Sequence, residues 1–149
     1  MMVTDVRGRE TPTALARRLI DEVVLGSPVA TALALALDRV DVDDVALTMA
    51  MSDELTTVPG VIHGGAVATL IDTAGAAACA SGVDGDDVTG GATTHLQIAY
   101  LGRACTDLRA AATVVHRTRA TTHTDVVVSG TDGRVVARGQ VTSRIFYRR

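Results

Sequence analysis

A chain of 149 residues with 47% hydrophobic content is the size of one compact domain with an adequate core. A net charge of -3 provides no broad basic surface for nucleic acid, and two cysteines, Cys79 and Cys105, are too few for a disulfide framework or a cysteine metal site. The first twenty residues lack the apolar core of a signal peptide and no later run is long and charge-free enough for a bilayer, so a soluble, cytoplasmic protein is expected.

In chain order, Thr11-Pro12 reads as a helix start, and Leu15, Leu19 and Val23 recur at helical spacing, which predicts a helix over 12–25. Gly26-Ser27-Pro28 ends it. Residues 1–27 are therefore expected to be a helical appendage and residues 28–149 the domain proper. Leu33, Leu35 and Leu37 alternate with alanines, and Val45, Leu47, Met49 and Met51 alternate beyond the acidic stretch 41–44, predicting two strands joined by a turn. After His63 the period changes to 3.6, with Val67, Leu70, Ile71, Ala74 and Ala78 on one stripe of a helix. Asp72 lies off that stripe among small residues, Gly65, Ala68, Gly75, Ala76 and Cys79, which leaves room for a ligand or a second subunit. Period-two patterns return at Thr94, Leu96, Ile98 and Tyr100, then over 111–115, 121–129 and 135–147, with Thr131-Asp132-Gly133 as a hairpin turn. One long helix followed by antiparallel strands is an α+β arrangement in which the helix is wrapped by its own sheet.

The segment His63-Gly64-Gly65 places two bare backbone amides at a helix start, where unpaired N–H groups carry partial positive charge suited to an oxyanion. Asp72 follows two turns later, beyond the reach of the helix-end dipole, and a carboxylate among Ala, Gly and Cys suits a base or nucleophile. His95, His116 and His123 have no metal-ligand spacing, and no metal is expected.

The stretches "VPGVIHGGAVATLIDTAGAAACAS", "GATTHLQIAYLGRA", "VVHRTRATTHTDVVV" and "DGRVVARGQVTSRIF", in that order, resemble the hotdog-fold acyl-CoA thioesterases of the PaaI-like family over roughly residues 28–147. The resemblance implies a single hotdog domain, a long central helix wrapped by an antiparallel sheet of about five to six strands. It implies hydrolysis of acyl-CoA to free acid and CoA by a homodimer or dimer of dimers, with CoA as part of the substrate and no cofactor. In this reading the Gly64 N–H polarises the thioester carbonyl, His63 orients it, Gly65 approaches the substrate, and Asp72 of the partner subunit activates water or attacks directly. Thr93 falls where similar enzymes hold the attacking water with a Ser or Thr; Thr94 takes that place if the register moves by one. Two departures stand out. Thr57 occupies a position where many relatives carry an Asn or Gln near the carbonyl, and Gly102-Arg103 replaces an Arg-Pro pair. Arg103, Arg117 and Arg119 are candidates for gripping CoA phosphates. A non-catalytic acyl-CoA-binding protein and, less favoured, a hotdog enoyl-CoA hydratase or dehydratase are the alternatives.

Overall fold

The computed structural model describes residues 9–149; the first eight residues of the expected appendage lie outside the described residues. Short helical segments come first: α1, Ala14–Arg18, runs directly into a π-helical turn, Leu19–Val24, and α2 spans Pro28–Ala32. The first helix begins two residues later than expected because Thr13, not Thr11, is the N-cap, its hydroxyl accepting from the Ala16 N–H. Its buried residues are Ala16 and Ile20 rather than the expected Leu15, Leu19 and Val23 face, and Val23 is 62% exposed. Ser27-Pro28, expected only as a stop, also starts α2: the Ser27 side chain accepts from the Ala30 N–H and Pro28 supplies a first-turn residue that needs no acceptor. The first strand consequently starts at Ala36 rather than near Leu33.

The sheet is built from β1 (Ala36–Asp41), β2 (Asp44–Met49), β5 (Val88–Tyr100), β6 (Leu108–Arg117), β7 (Thr121–Gly130) and β8 (Val135–Tyr147), with β3 (Thr56–Val58) and β4 (Val61–Ile62) forming a separate small ribbon. The order is β1-β2-β6-β7-β8-β5 and all neighbouring strands are antiparallel. The long helix α3, Gly64–Ser81, lies on the inner face of this sheet. The inner face alternates as a half-buried sheet should: Leu108, Ala110 and Ala112 on β6, Thr122, Thr124, Val126 and Val128 on β7, Ala137, Val141, Ser143 and Ile145 on β8.

Two glycines set how closely helix and sheet approach. A Cβ on Gly75 would lie 2.6 Å from Val141 Cβ, and one on Gly139 would lie 2.5 Å from Ile71 Cγ2. Side-chain-free positions on each element therefore receive a branched side chain from the other, and α3 sinks onto β8. This leaves Val67, Leu70, Ile71, Ala74 and Ala78 in the core, as the helical stripe predicts, together with Ala77, which the stripe did not include. The single domain with its long central helix, six-stranded antiparallel sheet and short N-terminal helix is the hotdog fold. No helix among the described residues is long and apolar enough to cross a membrane.

Strand β5 lies at the sheet edge, bonded only to β8, and most of its 13 residues are exposed. Its pairing with β8 shifts between Thr93 and His95, with Thr93 opposite Ser143 and His95 opposite Thr142, so Thr94 is an extra residue. The bulge exchanges faces in mid-strand. It lets odd-numbered Thr93 and even-numbered Ile98 and Tyr100 all meet the helix side, an arrangement that strict alternation forbids.

Candidate active site

The start of α3 is held by its neighbours on both sides. Ile62 donates its N–H to Ala104 O at 2.8 Å and His63 donates its N–H to Leu55 O at 2.7 Å. His63 is the N-cap, with φ -60° and ψ 136°, and its ring Nδ1 accepts the Gly65 N–H at 2.8 Å. Nδ1 is therefore the acceptor of this bond and carries no proton in it. This corrects the expectation of two bare amides. The Gly65 N–H is consumed by His63, and the Gly64 N–H alone stays available, since a first-turn N–H has no intrahelical acceptor.

Tyr100, at the end of β5, fixes the other side of the same peptide. Its hydroxyl donates to Gly64 O at 2.7 Å, and its ring would sit 3.5 Å from a Cβ on Gly64. Sequence reasoning did not single out Tyr100 for the site; an aromatic closing a period-two strand is ordinary, and the pairing spans 36 residues. A cavity of about 470 Å³ opens here, lined by Gly64, Thr57, Tyr100, Arg103 and the aliphatic Val61, Val67 and Val136 among others. Of the candidate site residues, Gly64, Thr57 and Arg103 therefore line one cavity.

Asp72 faces a different space. Thr93 donates its hydroxyl to Asp72 Oδ1 at 2.6 Å, a short charge-assisted bond between α3 and β5. Thr94 instead donates to Thr142 O at 3.2 Å, so the bulge selects Thr93 over its neighbour. Both Asp72 and Thr93 line a cavity of about 320 Å³ enclosed by α3, β5, β8 and the N-terminal helical segments. The second carboxylate oxygen, Oδ2, takes no part in the Thr93 bond.

Asp72 lies eight residues after Gly64, which at helical geometry is about 12 Å along the axis and about 80° around it. One carbonyl cannot touch both groups in the same chain.

Two of the candidate arginines have other partners. Arg117 donates from Nη2 to the carbonyls of Ala78 and Cys79 at 3.1 and 2.9 Å and from Nε to Asp43 Oδ1 at 2.8 Å. Its guanidinium is a cap for the C-terminal carbonyls of α3, where positive charge meets the negative end of the helix, and its Nε and Nη2 donors are committed there. Gly82 makes room for it: a Cβ there would come within 2.6 Å of the guanidinium carbon. Arg119 pairs with Asp87 at 2.6 Å and lies 4.1 Å over the Tyr147 ring, outside both cavities. Cys79 is buried beside Thr122 and Ser143, and burial pushes its thiol above the ordinary range. Among the described residues no cluster of His, Cys, Asp and Glu could hold a metal ion.

Solved structures share this architecture. The chain is 22% identical to the PaaI protein of the phenylacetic acid degradation operon of E. coli, with 88% of this chain and 93% of that one covered and a TM-score of 0.78. A thioesterase family protein from Silicibacter pomeroyi is 23% identical over 89% of this chain and 98% of that one, at a TM-score of 0.81. A conserved protein from Pseudomonas aeruginosa is 26% identical over 80% and 94%, at 0.73. No curated protein matches the chain. The family model described as "Thioesterase superfamily" matches residues 59–137, more than half of the chain and the span that holds His63, Gly64, Asp72 and Thr93. The chain belongs to the thioesterase superfamily.

Proposed function

We propose that the protein hydrolyses acyl-CoA thioesters to free carboxylic acid and CoA at a site shared between two subunits. The observation that carries this reading is the Thr93–Asp72 hydrogen bond at the mouth of an apolar cavity, about 12 Å of helix away from the free Gly64 N–H. A carboxylate locked by one neighbour, with its second oxygen open, is poised as a base or nucleophile. The separation of base and donor asks for a second chain to complete each site. The long exposed edge of β5 supports such a dimer, because an unpaired edge strand is a template for pairing with another copy.

In the base-catalysed form, a water held by Thr93 loses a proton to Asp72 Oδ2 as its oxygen attacks the thioester carbonyl carbon. The oxyanion is held by the N–H of Gly64 of the partner subunit, strengthened by the α3 helix end. Collapse breaks the carbon–sulfur bond, and the proton returns from Asp72 to the departing CoA thiolate. In the nucleophilic form an Asp72 carboxylate oxygen attacks the carbonyl carbon, the carbon–sulfur bond breaks with CoA leaving as the thiolate, and water cleaves the resulting mixed anhydride, giving the acid, regenerating the Asp72 carboxylate and passing a proton to the thiolate. Arg103, beside the Gly64 cavity, is placed for the polar end of CoA. Thr57 at the Gly64 cavity, with a hydroxyl in place of an amide, is the observation behind the second reading, binding without turnover.

Thiol release from a panel of acyl-CoA esters, with wild type and Asp72→Asn side by side, tests the assignment. Turnover lost in the variant supports it. Turnover that survives removes Asp72 from the chemistry, and ester binding without turnover supports the second reading.

A further inference from the structure

The cavity beside Asp72 has a long axis. Cys79 follows Asp72 by seven residues, which puts it about 10 Å further along α3 and only about 20° around the axis, on the same face. Both residues line the cavity. Around Cys79 the lining is buried: Val83 and Ile145 form with Cys79 a small cluster separate from the main core, and Ser143 lies beside them. The cavity therefore runs from a carboxylate end at half-buried Asp72 and exposed Thr93 to a buried end at Cys79. The Cys79 thiol stays neutral there because burial opposes its ionisation.

The roof comes from the segment that the sequence marks as an appendage. Leu19, Val23, Val24 and Val29 line the cavity, the first three from the π-helical turn. Val23 is 62% exposed and Val29 54% exposed, so two large aliphatic side chains stand at the rim with part of their surface bare. A π-helical turn is rare, and such turns concentrate at functional sites. No aromatic side chain lines the cavity.

Size separates two classes of acyl group. A cavity of about 150 Å³ is enough to take a benzene ring. The cavity here is about 320 Å³, about twice that, so a single aryl group beside Asp72 would leave the lining around Cys79 without contacts. An extended chain covers about 1.2 Å per bond, so about 10 Å of helix corresponds to about eight carbons.

Resting on the hydrolase reading for the chemistry at Asp72, we infer that this cavity takes an unbranched aliphatic acyl chain of about eight carbons, with Cys79 as the floor that sets its length and Val23 as part of the roof. The N-terminal helical segment is then a selectivity element of the active site.

The test is binding, so that it does not depend on turnover. Full-length Asp72→Asn is titrated calorimetrically with butanoyl-, hexanoyl-, octanoyl-, decanoyl-, dodecanoyl- and phenylacetyl-CoA. Affinity should rise about fourfold per methylene up to about eight carbons and then stop rising. Cys79→Leu in the same background should move that break about two carbons shorter. Val23→Ser, at an exposed rim position that the fold does not depend on, should weaken octanoyl-CoA about fivefold and leave butanoyl-CoA unchanged, which keeps the test open if Cys79→Leu does not fold. Affinity independent of chain length, a rise that continues to twelve carbons, tighter binding of phenylacetyl-CoA than of octanoyl-CoA, or insensitivity to Val23→Ser would overturn the inference. Failure of the hydrolase reading looks different: the chain-length profile persists while wild type releases no thiol from octanoyl-CoA.

Discussion

The Thr93 hydroxyl reaches the Asp72 carboxylate at 2.6 Å because an extra residue in β5, Thr94, turns Thr93 toward α3. The bond holds Oδ1 and, in the proposed mechanism, leaves Oδ2 as base or nucleophile. Replacing Asp72 by Asn keeps shape but removes the carboxylate, and on that mechanism kcat should fall by about 10²–10⁴. Thr93→Val keeps the volume and loses the hydroxyl; a fall of about tenfold in kcat is expected, the size of one hydrogen bond to a charged group. Steady-state thiol release measures both, and a Thr93→Val enzyme with wild-type kcat would remove Thr93 from the site.

Gly64 occupies the first helical position after an extended N-cap, a place where proline fits. Gly64→Pro should therefore fold, with a circular dichroism spectrum like that of wild type, while deleting the N–H that faces the oxyanion. A loss of about 10²–10³ in kcat is the expected cost of one such donor. Unimpaired turnover in a folded Gly64→Pro protein would place the oxyanion elsewhere.

Tyr100 acts on the same peptide through its carbonyl. Tyr100→Phe removes the donor to Gly64 O and keeps the ring against Gly64, so the peptide loses a restraint of about 1 kcal/mol. The expected signature is kcat reduced about fivefold with KM within about twofold, since Tyr100 positions the donor rather than holding substrate. A change confined to KM would indicate that Tyr100 serves substrate binding instead.

Arg117 ties three parts of the chain together, the β1–β2 turn at Asp43, the end of α3 and β6. Arg117→Ala should lower stability by about 2 kcal/mol, read as a drop in Tm of about 6 °C, from lost bonds to the helix carbonyls and a carboxylate left without its partner. KM for an acyl-CoA should stay unchanged in the folded variant. A raised KM with wild-type Tm would return Arg117 to the phosphates of CoA.

The two cysteines should differ sharply. Cys105 is exposed and Cys79 buried with its thiol pushed up by desolvation, so a thiol reagent at pH 8 should modify Cys105 promptly and Cys79 far more slowly. The folded state holds the Cys79 proton to higher pH than the unfolded chain does. Its contribution to stability is complete below the ordinary thiol range, about 8.5, and is lost as pH rises above it toward the folded value. Denaturation midpoints between pH 7.5 and about 10 should decline less in Cys79→Ala than in wild type.

Much of this architecture is written in short-range pattern. The 3.6-residue stripe after His63, the period-two segments over 111–147 and the turn at Gly133 depend on neighbours within a few positions, and each appears in the structure where its spacing puts it. The same holds for Gly64 at a helix start and for Asp72 among small residues, both visible in one uninterrupted segment of seventeen residues, 63–79.

What the chain pattern leaves open is decided by contacts between distant segments. Thr93, Thr94 and His95 are all ordinary strand residues; the choice among them follows from a bulge set against β8 and from a carboxylate 21 residues earlier. Arg117 reads as a surface cation until its partners 38, 39 and 74 residues away are in place. Ser27-Pro28 is both a stop and a start, and packing of Ala30 into the core makes it a start. Local spacing determines which face a residue lies on, because backbone geometry is fixed within a helix or strand. Which face meets which is settled only when the chain collapses, because burial and hydrogen bonding between remote segments select one register from several that are locally equal.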